Sequence, residues 1–492
     1  MDAIMFKRLM EVQPKGSPGE NLIEDDVPLQ QPIRAYQVPK RDALSEGPTS
    51  NSPASSAPGH PSDSQGEDLE MSPPTGPGGP SSPEEAVEIQ PSVWEPYMNR
   101  YRLVGLCTAS LGNALFDGAA GALIPFMEDF YHIGFAIVSL IFVGQAVGFI
   151  FSAVFLDSLR ALLGRAKLLA LGQSLLIISC VPLIALAPFP VTVASFLLVG
   201  FGAAINVAMG NIFCGSLQNG TLMLGFLHGF YGVGGTTGPL IATAMVTLGG
   251  VTWGRYYAVI LGVFVVTLGV SVWSFWRFED EQTPEVRAKE TPADQRTALK
   301  GMFSALKLRV VSLGALFIFA YQGAEVSISG WVISFLIHAR GGDPSSVGYV
   351  TSGFWAGITL GRFVLSHPAQ RLGEKRFVYA MTVAAIGLQL LVWWVPSIVG
   401  NAVAVSIVGL ALGPIYPCSV SVIMRALPSR QTLSGMGTIS AFGSMGGAVA
   451  PFLTGLLAQV VGTWVLHPIV ITLFVVMLIC WYCIPDVDKK KD

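Results

Sequence analysis

From Leu103 onward the chain repeats one pattern, an apolar run of the length that crosses hydrocarbon, about 20 residues, followed by a short break of Gly, Pro and charge. The pattern predicts twelve spanning helices, over residues 103–127, 134–157, 167–187, 191–216, 222–247, 255–276, 310–337, 345–366, 376–396, 399–424, 432–459 and 464–484. One long charged break, 277–308, divides them six and six. The expected organisation is therefore a tail over 1–98, a first six-helix bundle over 99–276, a linker over 277–308, a second bundle over 309–485 and a short tail over 486–492. The first tail is rich in Pro, Ser, Gly and Glu and cannot bury enough apolar area to offset chain entropy, so it is expected to be disordered. With no secretory-type apolar core, it is expected to stay in the cytosol. Its Ser-Pro pairs at Ser17, Ser52, Ser72 and Ser82 are candidate phosphorylation sites, against a plain solvated tail.

The two halves read as copies. Residues 161–167, ALLGRAK, correspond to 369–376, AQRLGEKR, with Gly164 and Gly373 about 209 positions apart. GGTTGP at 234–239 corresponds to GGAVAP at 446–451, about 212 positions apart. Carried to Glu325, this spacing lands within a few residues of Asp117. Both acids interrupt apolar helix-length stretches, where a charge costs about 2.5–3.5 kcal/mol on the insertion scale, so each should face a partner or a wet cavity.

Composition sharpens the class. At 51% hydrophobic and 12% charged the chain is a membrane protein, an all-α one by its run lengths. A net charge of −3 without a basic stripe excludes nucleic acid as a partner. The 6 cysteines lie in apolar segments, and Cys480 and Cys483, although spaced C-x-x-C, read as small packing residues. No metal, nucleophile or acid–base constellation points to an enzyme, and no cofactor is expected beyond a coupling proton or sodium ion. Both termini in the cytosol would put nearly all flanking Lys and Arg on the inner side, Arg255 and Arg340 excepted. A plasma-membrane monomer is expected.

A duplicated six-helix unit with a central cytosolic loop resembles the major facilitator superfamily over Tyr101 to Pro485. Gly361-Arg362 and Gln370-Arg371-Leu372-Gly373 resemble its loop signature, with Ala161 and Gln370 where the usual aspartate stands and Asp157 one turn before the first. The resemblance makes Asp157, Arg160, Arg165, Gly361, Arg362 and Arg371 gating-loop candidates. DGAAGALIP (117–125), HGFYGVGGTTGPL (228–240), GAEVSISGW (323–331) and GPIYP (413–417) are similar to the fucose-permease-like branch, especially its fungal members. Proton-coupled sugar symport is what that resemblance implies. The branch's fourth-span carboxylate is missing, since Asn206 and Asn211 stand there.

Counted from the helix ends, Asp117 and Glu325 lie near the midplane, where an alternating-access carrier keeps its site. They are the candidates for proton coupling or solute binding. A proton supplies about 2.3 kcal/mol per 100 mV and about 1.4 kcal/mol per pH unit, enough to concentrate a neutral solute more than about tenfold. Candidate path-lining groups are the amides Asn113, Gln145, Asn206, Asn211, Gln322 and Gln389, with His228, Tyr231, Tyr321, Trp331, Trp355 and Tyr416. Gly232, Gly234, Gly235, Pro239, Gly446, Gly447 and Pro451 are candidates for helix sliding and bending, or for close packing alone. The reading is a sugar or other small-solute symporter. A proton-driven exporter of a hydrophobic metabolite or drug and a carrier-like nutrient sensor are its alternatives.

Overall fold

The computed structural model describes residues 91–281, 304–427 and 432–485. The Ser-Pro sites and most of the two tails and of the linker lie outside these residues. The described residues are helical and carry no strand. The first bundle comprises α1 (Asn99–Tyr131), α2 (Leu140–Ile184), α3 (Phe189–Ser216), α4 (Gly220–Thr247) and α5 (Tyr256–Phe275). The second comprises α6 (Arg309–Arg340), α7 (Val350–Leu372), α8 (Glu374–Trp394), α9 (Ile398–Leu412), α10 (Ile415–Ala426), α11 (Thr432–Val461) and α12 (Leu466–Cys483). Spans and helices do not map one to one. α2 carries the second and third expected spans, which fold as one helical path turned at Gly164, φ 71°. α9 and α10 share the tenth span, interrupted at Gly413-Pro414, where proline removes a backbone donor.

Among the described residues, ten segments are long and apolar enough to cross a membrane. The remaining two helices of spanning length, α4 and α7, pack against each other across the two bundles.

The pseudo-repeat holds at the level of backbone contacts. A Cβ at Gly148 or Gly200 would strike the carbonyls of Leu197 or Gln145, so α2 and α3 cross in direct backbone contact. Gly357 and Gly409, 209 positions later, stand the same way against Ser406 and Phe354, themselves 209 positions after Leu197 and Gln145. Glycine lets these helices approach where any side chain would hold them apart. Gly200→Ala and Gly409→Ala are expected to lower the unfolding temperature in detergent, each costing at least about 1–3 kcal/mol of overpacking. Gly269→Ala, where a Cβ meets nothing within 4 Å, is the neutral control.

The bundles close on each other from the level of the two acids to the face opposite the start of α1. Gly121 of α1 lies against the Ser329 carbonyl of α6, Gly330 against the Phe142 ring and Gly348 against Thr243, each too close for a Cβ. Trp331 seals this end. Its Nε1 donates to the Pro451 carbonyl at 2.8 Å and its ring packs on Phe135 and Phe142. Toward the other face, Gly225 and Gly437, 212 positions apart, look onto open space. The described conformation is thus sealed at the far face.

Candidate functional site

Asp117 sits where three helices of the first bundle converge. Its Oδ1 accepts from Gln145 Nε2 of α2 at 2.7 Å, and its Oδ2 accepts from the Tyr231 hydroxyl of α4 at 2.8 Å. Gly234 and Gly238 hold α4 against the Leu111 and Leu115 carbonyls of α1, and this approach brings Tyr231 within reach of the acid. Both partners are neutral.

Glu325 is the repeat mate of Asp117. It follows Asp117 by 208 positions, as Phe319 follows Leu111, and the Phe319 and Leu111 carbonyls receive Gly446 and Gly234, the mates already paired by sequence. Its surroundings differ. Arg362 of α7 brings Nη2 to 4.0 Å from Glu325 Oε1, with 24% of the Arg362 side chain exposed against 9% for Glu325. The Tyr321 hydroxyl, one turn before Glu325, donates to the Leu412 carbonyl at 3.4 Å. Where the first half has Gln145 and Tyr231, the second has Phe354 and Gly443; where the second has Arg362, the first has Ala153. One acid is held by neutral donors and its mate by a cation, and the difference is written in the sequence at equivalent positions.

Tyr231 links the two sites, since it bonds Asp117 and also lies within the electrostatic reach of Glu325 and Arg362. Aromatic rings extend the wall. Trp355 lies 6.1 Å from Tyr231, and Tyr416 lies 5.8 Å from Tyr321. His228 lies exposed one turn before Tyr231. Asn206 Nδ2 donates to Asn113 Oδ1 at 3.3 Å. Among the described residues, Asn113 Nδ2, Asn206 Oδ1, Asn211 Oδ1 and Trp355 Nε1 are buried without a protein partner. That is spare hydrogen-bonding capacity of the kind a hydroxylated solute uses. Gln322 lies against Gly443 of α11.

Three sequence assignments change. Arg362 and Gly361 do not belong to a gating loop: α7 continues to Leu372, so they lie within the helix, with Gly361 against the Leu410 carbonyl and Arg362 beside Glu325. Gln389 does not reach the constellation. It pairs with His467 of α12 at 2.9 Å, because α8 packs on α9 and α12. Trp331 belongs to the far-face seal rather than to a path wall. Gly232 and Gly235 meet Thr359 and Trp355 of α7 at the bundle interface. Gly447 lies beside Val326, and Pro239 and Pro451 lie inside α4 and α11.

At the loop positions, the Arg165 N–H freed by the Gly164 turn donates to Glu279 Oε1 at 2.6 Å, and the Arg165 guanidinium lies over the Phe278 ring. The mate of Arg165 is Glu374, paired with Arg425 and accepting from the Ser421 hydroxyl at 3.0 Å. Arg160 is half-buried and Arg371 exposed, while the Asp157 side chain lies outside the described residues. Sequence reasoning missed Glu279 and Glu374 as tethers. The charge opposition between Arg165 and Glu374 at matched positions was the available signal.

Two six-span bundles related by a repeat, with paired acids at the level where the bundles separate, define a membrane solute carrier. The chain belongs to the Major Facilitator Superfamily, whose family profile matches residues 106–432 and 316–492. It is 28% identical over 374 residues to Bypass of stop codon protein 6 of Saccharomyces cerevisiae, across 70% of this chain and 74% of that one. It is 19% identical over 343 residues to the glucose/mannose transporter GlcP of Bacillus subtilis, across 68% and 83%. It is 30% identical over 164 residues to a glucose/galactose transporter of Brucella abortus, across 32% and 38%. Its fold is that of the E. coli fucose:proton symporter FucP, with TM-score 0.57, 14% identity and 78% and 98% coverage. The nucleoside transporter NupG matches with TM-score 0.62, 12% identity and 78% and 100% coverage.

Proposed function

We propose that the protein moves a small hydroxylated solute, a sugar, together with a proton by alternating access, with the face at which α1 begins toward the cytosol of a plasma-membrane-resident monomer. The observation that carries this reading is the asymmetry of the paired acids. A carboxylate held only by neutral groups in an apolar bundle is relieved by taking a proton, whereas protonating Glu325 would leave the Arg362 cation uncompensated. Asp117 is therefore the proton carrier and Glu325 the fixed counter-ion of Arg362. The sealed far face is one of the two conformations such a cycle requires, and the names of the bacterial relatives support a sugar as the cargo.

In the cycle, protonation of Asp117 weakens its hold on Gln145 and Tyr231. These groups and the spare amides of Asn113 and Asn206 then turn to solute hydroxyls. Tyr231 sits on α4, which forms the bundle interface with α7, so the charge of Asp117 and the approach of the two bundles change together.

The test is solute-induced proton movement in proteoliposomes over a panel of sugars, polyols and amphipathic drugs. Alkalinisation of the outer medium on adding a sugar is the expected result. A protein silent to every sugar, but moving drugs when a proton gradient is imposed, would overturn symport and establish the exporter.

A further inference from the structure

Away from the central acids, a cavity of about 570 Å³ opens between the start of α1 and the end of α5. It lies where the apolar span α5 gives way to charge, and its rim is aromatic: Tyr97, Trp273 and Trp276 are 64%, 57% and 63% exposed. Exposed Trp and Tyr at such a boundary sit at the level of lipid headgroups. Charges of both signs share the lining, Arg277 with Asp280 and Glu281 one turn after it. Behind them Arg102 is 1% exposed. Its Nη1 lies 2.8 Å from Glu281 Oε2 and 3.0 Å from Asn99 Oδ1, and its Nε donates to the Ser274 carbonyl at 2.9 Å. Its Nη2 is buried with no acceptor among the described residues.

We propose that this cavity is a binding site for the headgroup of a zwitterionic aminophospholipid. The phosphate diester pairs with Arg277, in front of the pair that buried Arg102 makes with Glu281. The primary ammonium donates to Asp280 and Glu281, and the glycerol and first methylenes lie on Trp273. Each part of the lining selects. Two carboxylates oppose an anionic headgroup. A quaternary ammonium has no N–H to give them. A soluble phosphate ester leaves the exposed indoles without an apolar partner.

The site is tested on the purified full-length protein, delipidated and offered equal mixtures of phosphatidylethanolamine, phosphatidylcholine and phosphatidylglycerol, with retained lipid identified by native mass spectrometry. Phosphatidylethanolamine is expected to be retained at least about threefold over either competitor and to raise the unfolding temperature. Arg277→Ala and Asp280→Asn should abolish that preference while leaving the elution profile unchanged. Soluble glycerophosphoethanolamine should not compete. Equal retention of all three lipids, preference for the anionic one, or full competition by the soluble headgroup would each overturn the proposal. Wild-type competition decides it even where a variant fails to fold.

Discussion

Asp117→Asn is expected to abolish solute-driven proton uptake while sparing solute exchange. Asparagine keeps the shape and neutrality of the protonated acid and, with one acceptor oxygen in place of two, loosens the hold on Gln145 and Tyr231 as protonation does, but it cannot release a proton. The variant should thus bind and carry solute in counterflow, where no net proton movement is needed, within a few fold of wild type. Accumulation against a gradient should fall at least about tenfold, the loss of about 1.4 kcal/mol or more of driving force. A pH-sensitive dye inside proteoliposomes reads the first quantity and labelled-solute counterflow reads the second. Continued accumulation by Asp117→Asn would remove Asp117 from the coupling path. Loss of counterflow as well would make it a binding residue instead.

Arg362→Gln is expected to inactivate the carrier and lower its stability, and Glu325→Gln in the same chain is expected to restore part of both. Removing one member of a largely buried ion pair strands the other, a loss of about 3–5 kcal/mol when burial is complete. With 24% of the Arg362 side chain exposed and the pair 4.0 Å apart, about 1–3 kcal/mol is the expected size here. Neutralising both members removes the stranded charge, so the double variant should recover about 1 kcal/mol or more relative to the sum of the singles. Thermal unfolding of the four proteins in one detergent measures this cycle. Strict additivity would mean that the two side chains act independently and that Glu325 is not committed to Arg362. The double variant should also keep proton-coupled transport that Asp117→Asn lacks.

Much of this architecture was legible in the sequence, because lipid enforces it. A run of apolar residues long enough to cross hydrocarbon has few alternatives to helix, and a duplicated unit leaves matched glycines at matched spacing. The same spacing pairs Asp117 with Glu325 from the sequence alone. Arg362 was misplaced for a physical reason. Helix α7 continues past its apolar run to Leu372, so an arginine inside it resembled one at a membrane exit. Gln389 was misassigned because sequence gives the type of a polar group and not the side of the helix on which its partner stands. Its actual partner, His467, lies 78 positions away in another span. The break at Gly413-Pro414 was written in the residues, yet an uninterrupted apolar count ran across it.

The crossings that hold each bundle together are made between main chains, at positions whose side chain is a hydrogen atom. Contacts of that kind carry no chemical preference for what is transported. Inheritance can therefore preserve them while exchanging polar groups around the midplane, and the two halves of this chain, each keeping one acid, have done so with Gln145 against Phe354 and Ala153 against Arg362. A nucleoside carrier and a fucose carrier can share this shape at 12% and 14% identity for the same reason. Divergence in such a lineage records changes of cargo far more than changes of form.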